Sequence, residues 1–316
     1  MVAKIFIDGE AGTTGLQIRE RLENRRDLEV LSIAPDKRKD QDERKRLLNA
    51  ADVAILCLPD DAARESVSLI ENDTTRVIDA STAFRVDPDW AYGFAEMDRA
   101  QSGKIASARF VANPGCWPQG LIATVRPLIE ANLLPKDFGV TYNGISGYSG
   151  GGKQMIAEYE AADAIASHFM PYAMTFTHKH LPEMTAYTGL SREPLFVPTV
   201  GDFAQGMTTF VPLQLGHLGK VPTGREIHAA IADHFAAIKD SFVVVAPFSD
   251  TAKTPALDPQ AHNNTNTMTL HVFANDARAQ AVLVAVYDNL GKGASGAAVQ
   301  NLNLMLGVNA RESLAA

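Results

Sequence analysis

The chain has 316 residues, of which 46% are hydrophobic and 21% charged, and its formal net charge is −8. This composition excludes a disordered chain and provides enough apolar surface for about two domains with separate cores. The acidic balance disfavours nucleic acid and anionic membranes as partners, because both bind to basic surfaces. It leaves open a small anionic substrate, since a pocket can be locally basic on an acidic protein.

Strand-like and helix-like segments alternate in the first third of the chain. Predicted strands cover residues 4–8, 28–33, 53–58 and 77–80, and predicted helices cover 13–24, 42–50 and 61–72. The unbroken apolar run 53–58 is typical of a parallel strand that is covered on both faces. The alternation predicts an α/β domain with a doubly wound, Rossmann-like parallel sheet.

The pattern changes after residue 113. Predicted helices cover 120–131, 157–166 and 297–306, predicted strands cover 139–142, 210–215, 242–245, 268–273 and 281–285, and glycine-rich segments cover 143–153 and 291–296. Successive strands predict a mixed or antiparallel sheet in an α+β domain. The last helix has an apolar face of Val299, Leu302 and Leu306, and we expect it to return to the first domain. The expected domains are residues 1–115 with about 296–316, and residues 116–295.

Three glycines lie between the first predicted strand and the first helix, with the spacing G-x-x-G-x-x-G. Glycine lets the backbone approach a pyrophosphate, which binds at a helix N-terminus. A tight turn is the alternative, but the position in the first βα connection favours a dinucleotide. The predicted contacts are Gly9, Gly12, Gly15 and the hydroxyls of Thr13 and Thr14.

The end of the second predicted strand bears on the choice between NAD and NADP. An NAD enzyme usually has an acidic residue there, whereas this chain has Ser32, followed by Lys37 and Arg38. A hydroxyl and cations suit the 2′-phosphate of NADP, although Asp36 argues for NAD and the basic run is also compatible with a solvated loop. We predict NADP, with Ser32, Lys37 and Arg38 at its 2′-phosphate.

The chain has two cysteines in different surroundings, so free thiols are expected. Free thiols, together with the lack of a recognisable secretory signal at the N-terminus, predict a cytoplasmic protein. Cys57 lies in an apolar strand and is expected to be an unreactive core residue. Cys116 lies in ANPGCWPQG, where Pro114 and Pro118 argue against a helix through the cysteine and predict a helix just beyond it. A thiolate near a helix N-terminus is stabilised, so Cys116 is a candidate nucleophile, with a structural turn cysteine as the alternative.

The segment THKHLPEM places His178, His180 and Glu183 within six residues. Two imidazoles and a carboxylate suit acid–base catalysis, although a single histidine is more often a packing residue. A zinc site needs further Cys or His residues at ligand spacing, and the sequence does not offer them, so no metal is predicted.

Several of these motifs together resemble one family. GEAGTTG, STAFR, NPGCWPQG, HKHLPE, VGDFAQGM and DNLGKGASGAAVQNLNLML are similar to N-acetyl-γ-glutamyl-phosphate reductases of the shorter variety, type 2, over essentially the whole chain. That family is related to the aspartate-semialdehyde dehydrogenases. The resemblance implies NADPH-dependent reduction of an acyl phosphate to an aldehyde in arginine biosynthesis, with a thioester on Cys116. It gives the acid–base role to His178 or His180, places Glu183 beside a histidine or the substrate, and places Asn289 near the nicotinamide.

An acyl-phosphate substrate with a carboxylate needs cations and N–H donors. The predicted substrate contacts are Arg85, Asn113, Ser146 and Lys153, and Ser149 and Gly150 join the predicted cofactor contacts. For Arg85 and Lys153 the alternative is a surface cation, and for the glycine-rich loop it is a hinge. By analogy with the fold, the second domain is expected to form a homo-oligomer, a dimer or a tetramer.

Two other functions are compatible with parts of this pattern. One is a related dehydrogenase acting on another acyl phosphate, such as aspartyl phosphate. The other is a non-catalytic NADP-binding redox sensor that uses Cys116 as its sensor thiol. The THKHLPE segment favours an enzyme, because a sensor thiol needs no adjacent acid–base pair.

Overall fold

The computed structural model describes residues 2–161, 167–248 and 257–316. Its strands are β1 Ala3–Asp8, β2 Leu28–Leu31, β3 Val53–Leu56, β4 Arg76–Asp79, β5 Ala91–Tyr92, β6 Phe110–Ala112, β7 Thr141–Gly147, β8 Phe169–Pro171, β9 Leu195–Gly201, β10 Met207–Gln214, β11 Val243–Val245, β12 Met268–Asn275 and β13 Gln280–Tyr287. Its α-helices are α1 Thr13–Leu22, α2 Gln41–Ala50, α3 Asp60–Ser68, α4 Gln101–Ser107, α5 Cys116–Glu130, α6 Gly152–Glu160, α7 Leu181–Thr188, α8 Gly224–Ala236 and α9 Gly296–Leu306.

The chain divides into two compact units. The first unit contains Met1–Ala95, Ala100–Gly115 and Ala294–Ala315, and the second contains Glu96–Arg99 and Cys116–Gly293. The helix α9 therefore packs in the first unit, and its Val299 and Leu302 are fully buried there. No helix within the described residues is both long and apolar enough to cross a membrane.

The first unit is built on a parallel sheet with the strand order β2-β1-β3-β4-β6-β5. Alternate residues of each strand face opposite sides, so the sheet has a separate apolar core on each face. One core joins Ile5, Ile7 and Ile55 to α1, α4 and α9, and the other joins Phe6, Ala54 and Leu56 to α2 and α3. Helices on both faces confirm the predicted doubly wound α/β sheet.

The second unit is built on a mixed sheet with the order β11-β12-β13-β10-β7-β9-β8. The strands β10, β12 and β13 pair antiparallel over eight residues each, whereas β7 and β9 pair parallel. The helix α5 packs against β10 and β13. This arrangement confirms the predicted α+β character, although the sequence did not predict α7, α8, β8 or β9.

Three predicted boundaries in the second half of the chain are wrong. The strand β7 continues through Gly147, where a loop was expected from residue 143, because its residues pair with both β9 and β10. The helix α6 begins at Gly152 rather than near residue 157, and residues 162–166 of the predicted helix lie outside the described residues. The expected glycine-rich turn at 291–296 is instead a π-helical turn, Gly291–Ser295, that continues directly into α9.

Candidate active site

Cys116 is the first residue of α5, which corrects the expectation that Pro118 prevents a helix from including it. Pro118 is the third residue of the helix, and the N–H groups of a first turn have no acceptor within the helix, so proline is tolerated there. The side chain of Cys116 is half-buried. The thiol therefore lies at the positive end of a 15-residue helix, where a thiolate is stabilised.

Buried hydroxyls and a glycine fix the start of α5. The Tyr287 hydroxyl donates to the main-chain oxygen of Cys116 at 2.8 Å, and the Tyr142 hydroxyl donates to that of Trp117 at 2.7 Å. A Cβ atom added to Gly293 would lie 2.9 Å from the Cβ of Cys116, so only glycine fits there without displacement. The Gln119 amide donates to the main-chain oxygen of Lys292 at 2.8 Å, which ties α5 to the π-helical turn.

The histidine segment approaches the start of α5 through two aromatic side chains. The indole of Trp117 donates to the Tyr172 hydroxyl at 3.1 Å. The ring of Tyr172 lies 5.8 Å from that of His178, which in turn lies 4.7 Å from that of His180. The structure thus links the histidine segment, through Tyr172, to Trp117, which is the residue next to Cys116.

The two histidines differ in burial. His178 is half-buried, whereas His180 is 6% exposed and Glu183 is 1% exposed. Burial, with a smaller contribution from the charge of Lys179, lowers the pKa of His178 to about 4. The Nδ1 atom of His178 accepts the main-chain N–H of His180 at 3.2 Å, so the neutral ring carries its proton on Nε2. His178 is therefore neutral near pH 7 and has a donor available on its Nε2 side.

Four of the other predicted contacts in the second unit lie together. The Asn289 amide donates to the Ser149 hydroxyl at 3.1 Å and accepts the main-chain N–H of Gly206 at 2.7 Å. A Cβ atom on Gly150 would lie 3.5 Å from the Asn289 amide nitrogen and 3.6 Å from the Ser146 hydroxyl. Lys153, in contrast, is exposed in the first turn of α6.

The glycine loop of the first unit connects β1 to α1. Gly9 has a φ of +87°, and a Cβ atom there would lie 2.4 Å from the main-chain oxygen of Cys57. A Cβ atom on Gly15 would lie 2.6 Å from the main-chain oxygen of Gly9. Gly12 precedes Thr13 and Thr14 at the N-terminus of α1 and provides no side-chain cap. Such a tight backbone at an uncapped helix start fits a pyrophosphate.

A cleft of about 420 Å³ lies beside this loop. Two of the three basic residues 37–39, Arg38 and Lys39, line the cleft. Lys37, which was predicted to contact the 2′-phosphate, ends the preceding 3₁₀ turn and is not among the described residues that line it. The exposed Ser32 follows β2. Buried Arg44 also lines the cleft and pairs with Asp8 at 3.1 Å. Sequence reasoning missed Glu10 and Arg44, which line this cleft, and Arg19, which pairs with Glu10, because the sequence around a charged residue does not show which distant groups it contacts.

Arg85 and Asn113 lie together at the carboxyl ends of β4 and β6. The Arg85 guanidinium donates to the main-chain oxygens of Asn113 and Ala80, both at 3.0 Å. At 7% exposure Arg85 is buried, which rules out the alternative of a solvated surface cation. Nearby Asp79, which sequence reasoning did not single out, is fully buried, and burial raises its pKa to about 6.

Cys57 follows β3 and packs against one of the two cores of the first unit. Burial, with smaller contributions from Asp79 and Asp8, raises the pKa of its thiol to about 12. Such a thiol is protonated at neutral pH and cannot act as a nucleophile.

Curated relatives match almost the entire chain, and two family models match most of it. Residues 116–289 match the model described as semialdehyde dehydrogenase, dimerisation domain, and residues 35–105 match semialdehyde dehydrogenase, NAD binding domain. An N-acetyl-γ-glutamyl-phosphate reductase of Chelativorans sp. (strain BNC1) is 68% identical over 97% of this chain and 99% of its own length. One of Mesorhizobium japonicum is 65% identical over 98% and 100%. The chain belongs to the N-acetyl-γ-glutamyl-phosphate reductase family.

Solved structures with a similar fold include aspartate semialdehyde dehydrogenases. Aspartate semialdehyde dehydrogenase II of Vibrio cholerae, complexed with ASA, has a TM-score of 0.72 at 15% identity, with coverage of 97% of this chain and 99% of that one. The enzyme of Candida albicans with NADP has a TM-score of 0.67 at 13% identity, with the same coverage. At these identities the likeness shows the fold alone.

Membership of this reductase family confirms three predictions: the family itself, the fold class, and an oxidoreductase of amino-acid biosynthesis. A nicotinamide dinucleotide is confirmed as the class of cofactor by the NAD binding domain.

Proposed function

We propose that this chain reduces N-acetyl-γ-glutamyl phosphate to N-acetylglutamate 5-semialdehyde with NADPH, releasing phosphate, as a step of arginine biosynthesis in the cytoplasm. The observation that carries the proposal is the half-buried Cys116 at the start of α5, whose neighbour Trp117 is hydrogen-bonded to Tyr172, which lies beside His178. Relatives of 68% and 65% identity that bear the name of this reductase support the substrate. The two free cysteines are in keeping with a reducing compartment.

In the first step the Cys116 thiolate attacks the acyl carbon, and a carbon–sulfur bond forms. The tetrahedral species then expels phosphate with the electron pair of the broken carbon–oxygen bond, which leaves a thioester. The N-terminal position of Cys116 on α5 favours the thiolate and places main-chain N–H groups of the first turn near the developing oxyanion. A thioester accepts hydride, whereas a free carboxylate resists it, so covalent catalysis divides a difficult reduction into two easier steps.

In the second step hydride adds to the thioester carbon, and the resulting tetrahedral species expels the Cys116 thiolate to give the aldehyde. When bound, the nicotinamide dinucleotide supplies this hydride. The carbonyl oxygen gains no net proton, because it ends as the oxygen of the aldehyde; the one proton that the overall reaction consumes goes to the expelled phosphate, which is released as hydrogen phosphate. The task of the histidine is therefore to donate a hydrogen bond to the oxygen that becomes negative in both tetrahedral species.

We assign that donor role to His178 rather than His180. His178 is half-buried and has its proton on Nε2, whereas His180 is buried and uses its main-chain N–H to hold the ring of His178 in this tautomer. Glu183 is buried in the first turn of α7 and acts as a positioning residue for this segment.

The glycine loop of the first unit fits a dinucleotide. A side chain at Gly9 or Gly15 would collide with the backbone, so the loop stays compact and free of side chains at these positions. Gly9, Gly12, Gly15 and the hydroxyls of Thr13 and Thr14 would hold the pyrophosphate. Ser32 and Arg38 would hold the 2′-phosphate, which makes NADP the cofactor. In the second unit the cluster of Ser149, Gly150 and Asn289 would hold the carboxamide of the nicotinamide.

The substrate anions need their own partners. The proposed partners are the buried cation of Arg85 for one anion and the hydroxyl of Ser146 for the other. The side-chain amide of Asn113 donates to the main-chain oxygen of Ala294 and accepts the amide of Asn301, both at 3.0 Å, so Asn113 would act by holding Arg85 through its main-chain oxygen. Lys153 is exposed and could reach an anion only from the surface side of α6. The match of residues 116–289 to a dimerisation domain supports a homo-oligomer built on the second unit.

The reverse reaction gives the sharpest test, because it avoids an unstable acyl phosphate. The purified protein is incubated with N-acetylglutamate 5-semialdehyde, phosphate and NADP, and the rise in NADPH absorbance is followed. A parallel reaction contains aspartate 4-semialdehyde. We expect turnover with the N-acetylated substrate and little with the other; turnover of aspartate semialdehyde alone would overturn the proposal.

Variants test the assigned residues in the same assay. Cys116→Ser should lower the rate by at least about a thousandfold, since it removes the nucleophile. His178→Gln should cost more activity than His180→Gln at equal folding, measured by circular dichroism. Full activity of Cys116→Ser would refute the thioester route.

A further inference from the structure

Two arginines from different segments converge on one carboxylate in the glycine loop. Arg19 of α1 pairs with Oε2 of Glu10 at 2.5 Å, and Arg38 pairs with its Oε1 at 3.3 Å. Both terminal nitrogens of Arg19 also lie 3.3 Å from the hydroxyl oxygen of Ser32, just beyond β2. Two guanidinium groups thus hold a single anion, and one of them, that of Arg19, also contacts the hydroxyl at the end of the second strand.

The exposure of these groups shows where the anion lies. The side chain of Glu10 is only 11% exposed, whereas those of Arg19 and Arg38 are 39% and 42% exposed. Glu10 and Arg38 line the cleft of about 420 Å³ beside the loop. The arginines therefore reach in from solvent and hold a carboxylate against the wall of the cleft in which a dinucleotide would lie.

We propose that Arg19 is a ligand of the 2′-phosphate of NADP, and that Glu10 occupies the phosphate position until the cofactor binds. The proposal rests on the function proposed above, which places a dinucleotide at the glycine loop. A guanidinium binds carboxylate and phosphate with the same paired donors, so a site arranged around one anion suits the other. The Ser32 hydroxyl supplies a further donor at the same position.

The charges also disfavour NAD at this site. A ribose diol is usually recognised by a carboxylate that accepts its hydroxyl protons. Here both oxygens of Glu10 are already engaged by arginines. A phosphate can replace Glu10 between the two cations, whereas a neutral diol would leave the arginines paired with Glu10 and gain nothing from them.

Replacement of Glu10 by a phosphate has a cost, because the carboxylate must move away from its two partners. Removing its charge should therefore strengthen cofactor binding, and removing Arg19 should weaken it. Opposite effects from two partners of one ion pair distinguish a binding site from a merely structural salt bridge, in which both substitutions would lower stability and neither would favour the ligand.

Equilibrium binding to the full-length protein tests this without any turnover. The probes are 2′,5′-ADP and 5′-AMP, which differ only in the 2′-phosphate, measured by calorimetry. We expect Arg19→Ala to weaken 2′,5′-ADP by about ten- to a hundredfold and to leave 5′-AMP unchanged. Glu10→Gln should tighten 2′,5′-ADP by about three- to tenfold. Arg26→Ala, which removes an exposed arginine beyond α1, is the matched control and should change neither.

The outcomes separate this proposal from the proposed function. Equal binding of 2′,5′-ADP and 5′-AMP by the unaltered protein, or equal weakening of both by Arg19→Ala, would overturn the assignment of Arg19 and leave a reductase that uses NADH intact. Preferential binding of 2′,5′-ADP that depends on Arg19, in a protein that fails to turn over the semialdehyde, would uphold it and refute the proposed function. Melting temperatures of the variants exclude unfolding as the cause of lost binding, and Arg19→Lys should restore part of the preference because it keeps the charge.

Discussion

Lys292 donates a hydrogen bond through Nζ to Oε2 of Glu96 at 2.6 Å, and both side chains are only 1% exposed. The other oxygen of Glu96 accepts the main-chain N–H of Phe242 at 3.1 Å. The main-chain oxygen of Lys292 accepts the amide of Gln119, and the next residue, Gly293, abuts the Cβ of Cys116. This buried ion pair therefore anchors the π-helical turn against which the cysteine is placed.

Loss of one partner of this pair should destabilise the protein strongly. Lys292→Met leaves the carboxylate of Glu96 buried without its cation, and we expect a loss of about 3–5 kcal/mol in the free energy of unfolding, measured by urea denaturation. The double variant with Glu96→Gln should recover part of that loss. Lys45 pairs with Glu71 at the same 2.6 Å on the surface, so Lys45→Met is the matched control. It should cost less than about 1 kcal/mol, and an equal cost at both sites would contradict this account.

Gly293 should be required for activity because of its contact with Cys116. The Cβ atom of Gly293→Ala would lie 2.9 Å from that of Cys116 and 3.1 Å from the main-chain oxygen of Asp288, so the thiol or the turn must shift. We expect kcat to fall by at least about tenfold, since misplacement of a reacting group by about 1 Å can cost a hundredfold. Gly103→Ala is the control: it lies in α4 with no atom within 4 Å of the added Cβ, and it should leave activity unchanged. Unaltered kinetics of Gly293→Ala would show that the contact is not needed.

The two thiols should differ sharply in alkylation. The pKa of Cys57 is raised to about 12 by burial, so at pH 8 almost none of it is thiolate. Cys116 is half-buried at a helix N-terminus. We expect iodoacetamide at pH 8 to label residue 116 first, and mass spectrometry of peptides to locate the label. Activity should decline in step with that label, and Cys57→Ser should retain activity; preferential labelling of Cys57 would contradict the assignment.

The lowered pKa of His178 predicts how the stability of the folded protein changes with pH. Burial lowers its pKa from an ordinary value of 6.5 to about 4, so the unfolded chain binds a proton there at a higher pH than the folded one. The contribution of the neutral His178 to the free energy of unfolding is fully present above pH 6.5 and is lost as the pH falls toward 4. Relative to His178→Gln, which has no such group, the native protein should lose stability over that interval. Urea denaturation at pH 7.5, 6 and 5 measures the difference, and a constant difference would show that the pKa is not lowered.

Local sequence signals predicted the regular elements and the reactive segments well. Apolar runs located β1, β3, β10 and β13, and the glycine spacing located the connection between β1 and α1. The motifs around Cys116 and His178 predicted the family that the relatives confirm. These features depend on residues that are close in sequence, so they can be inferred without a fold.

Tertiary structure alone decided how distant residues combine. Lys292 and Glu96 are 196 positions apart, and Arg38 and Glu10 are 28 apart, so no local pattern relates them. The proposed choice of His178 over His180 rests on which ring is buried, and two positions in one short segment do not reveal that. Pro118 misled the prediction for α5, because the effect of proline depends on its distance from the helix start. Packing, burial and ion pairing are decided by the complete fold, because each depends on which residues from distant segments lie next to a given side chain.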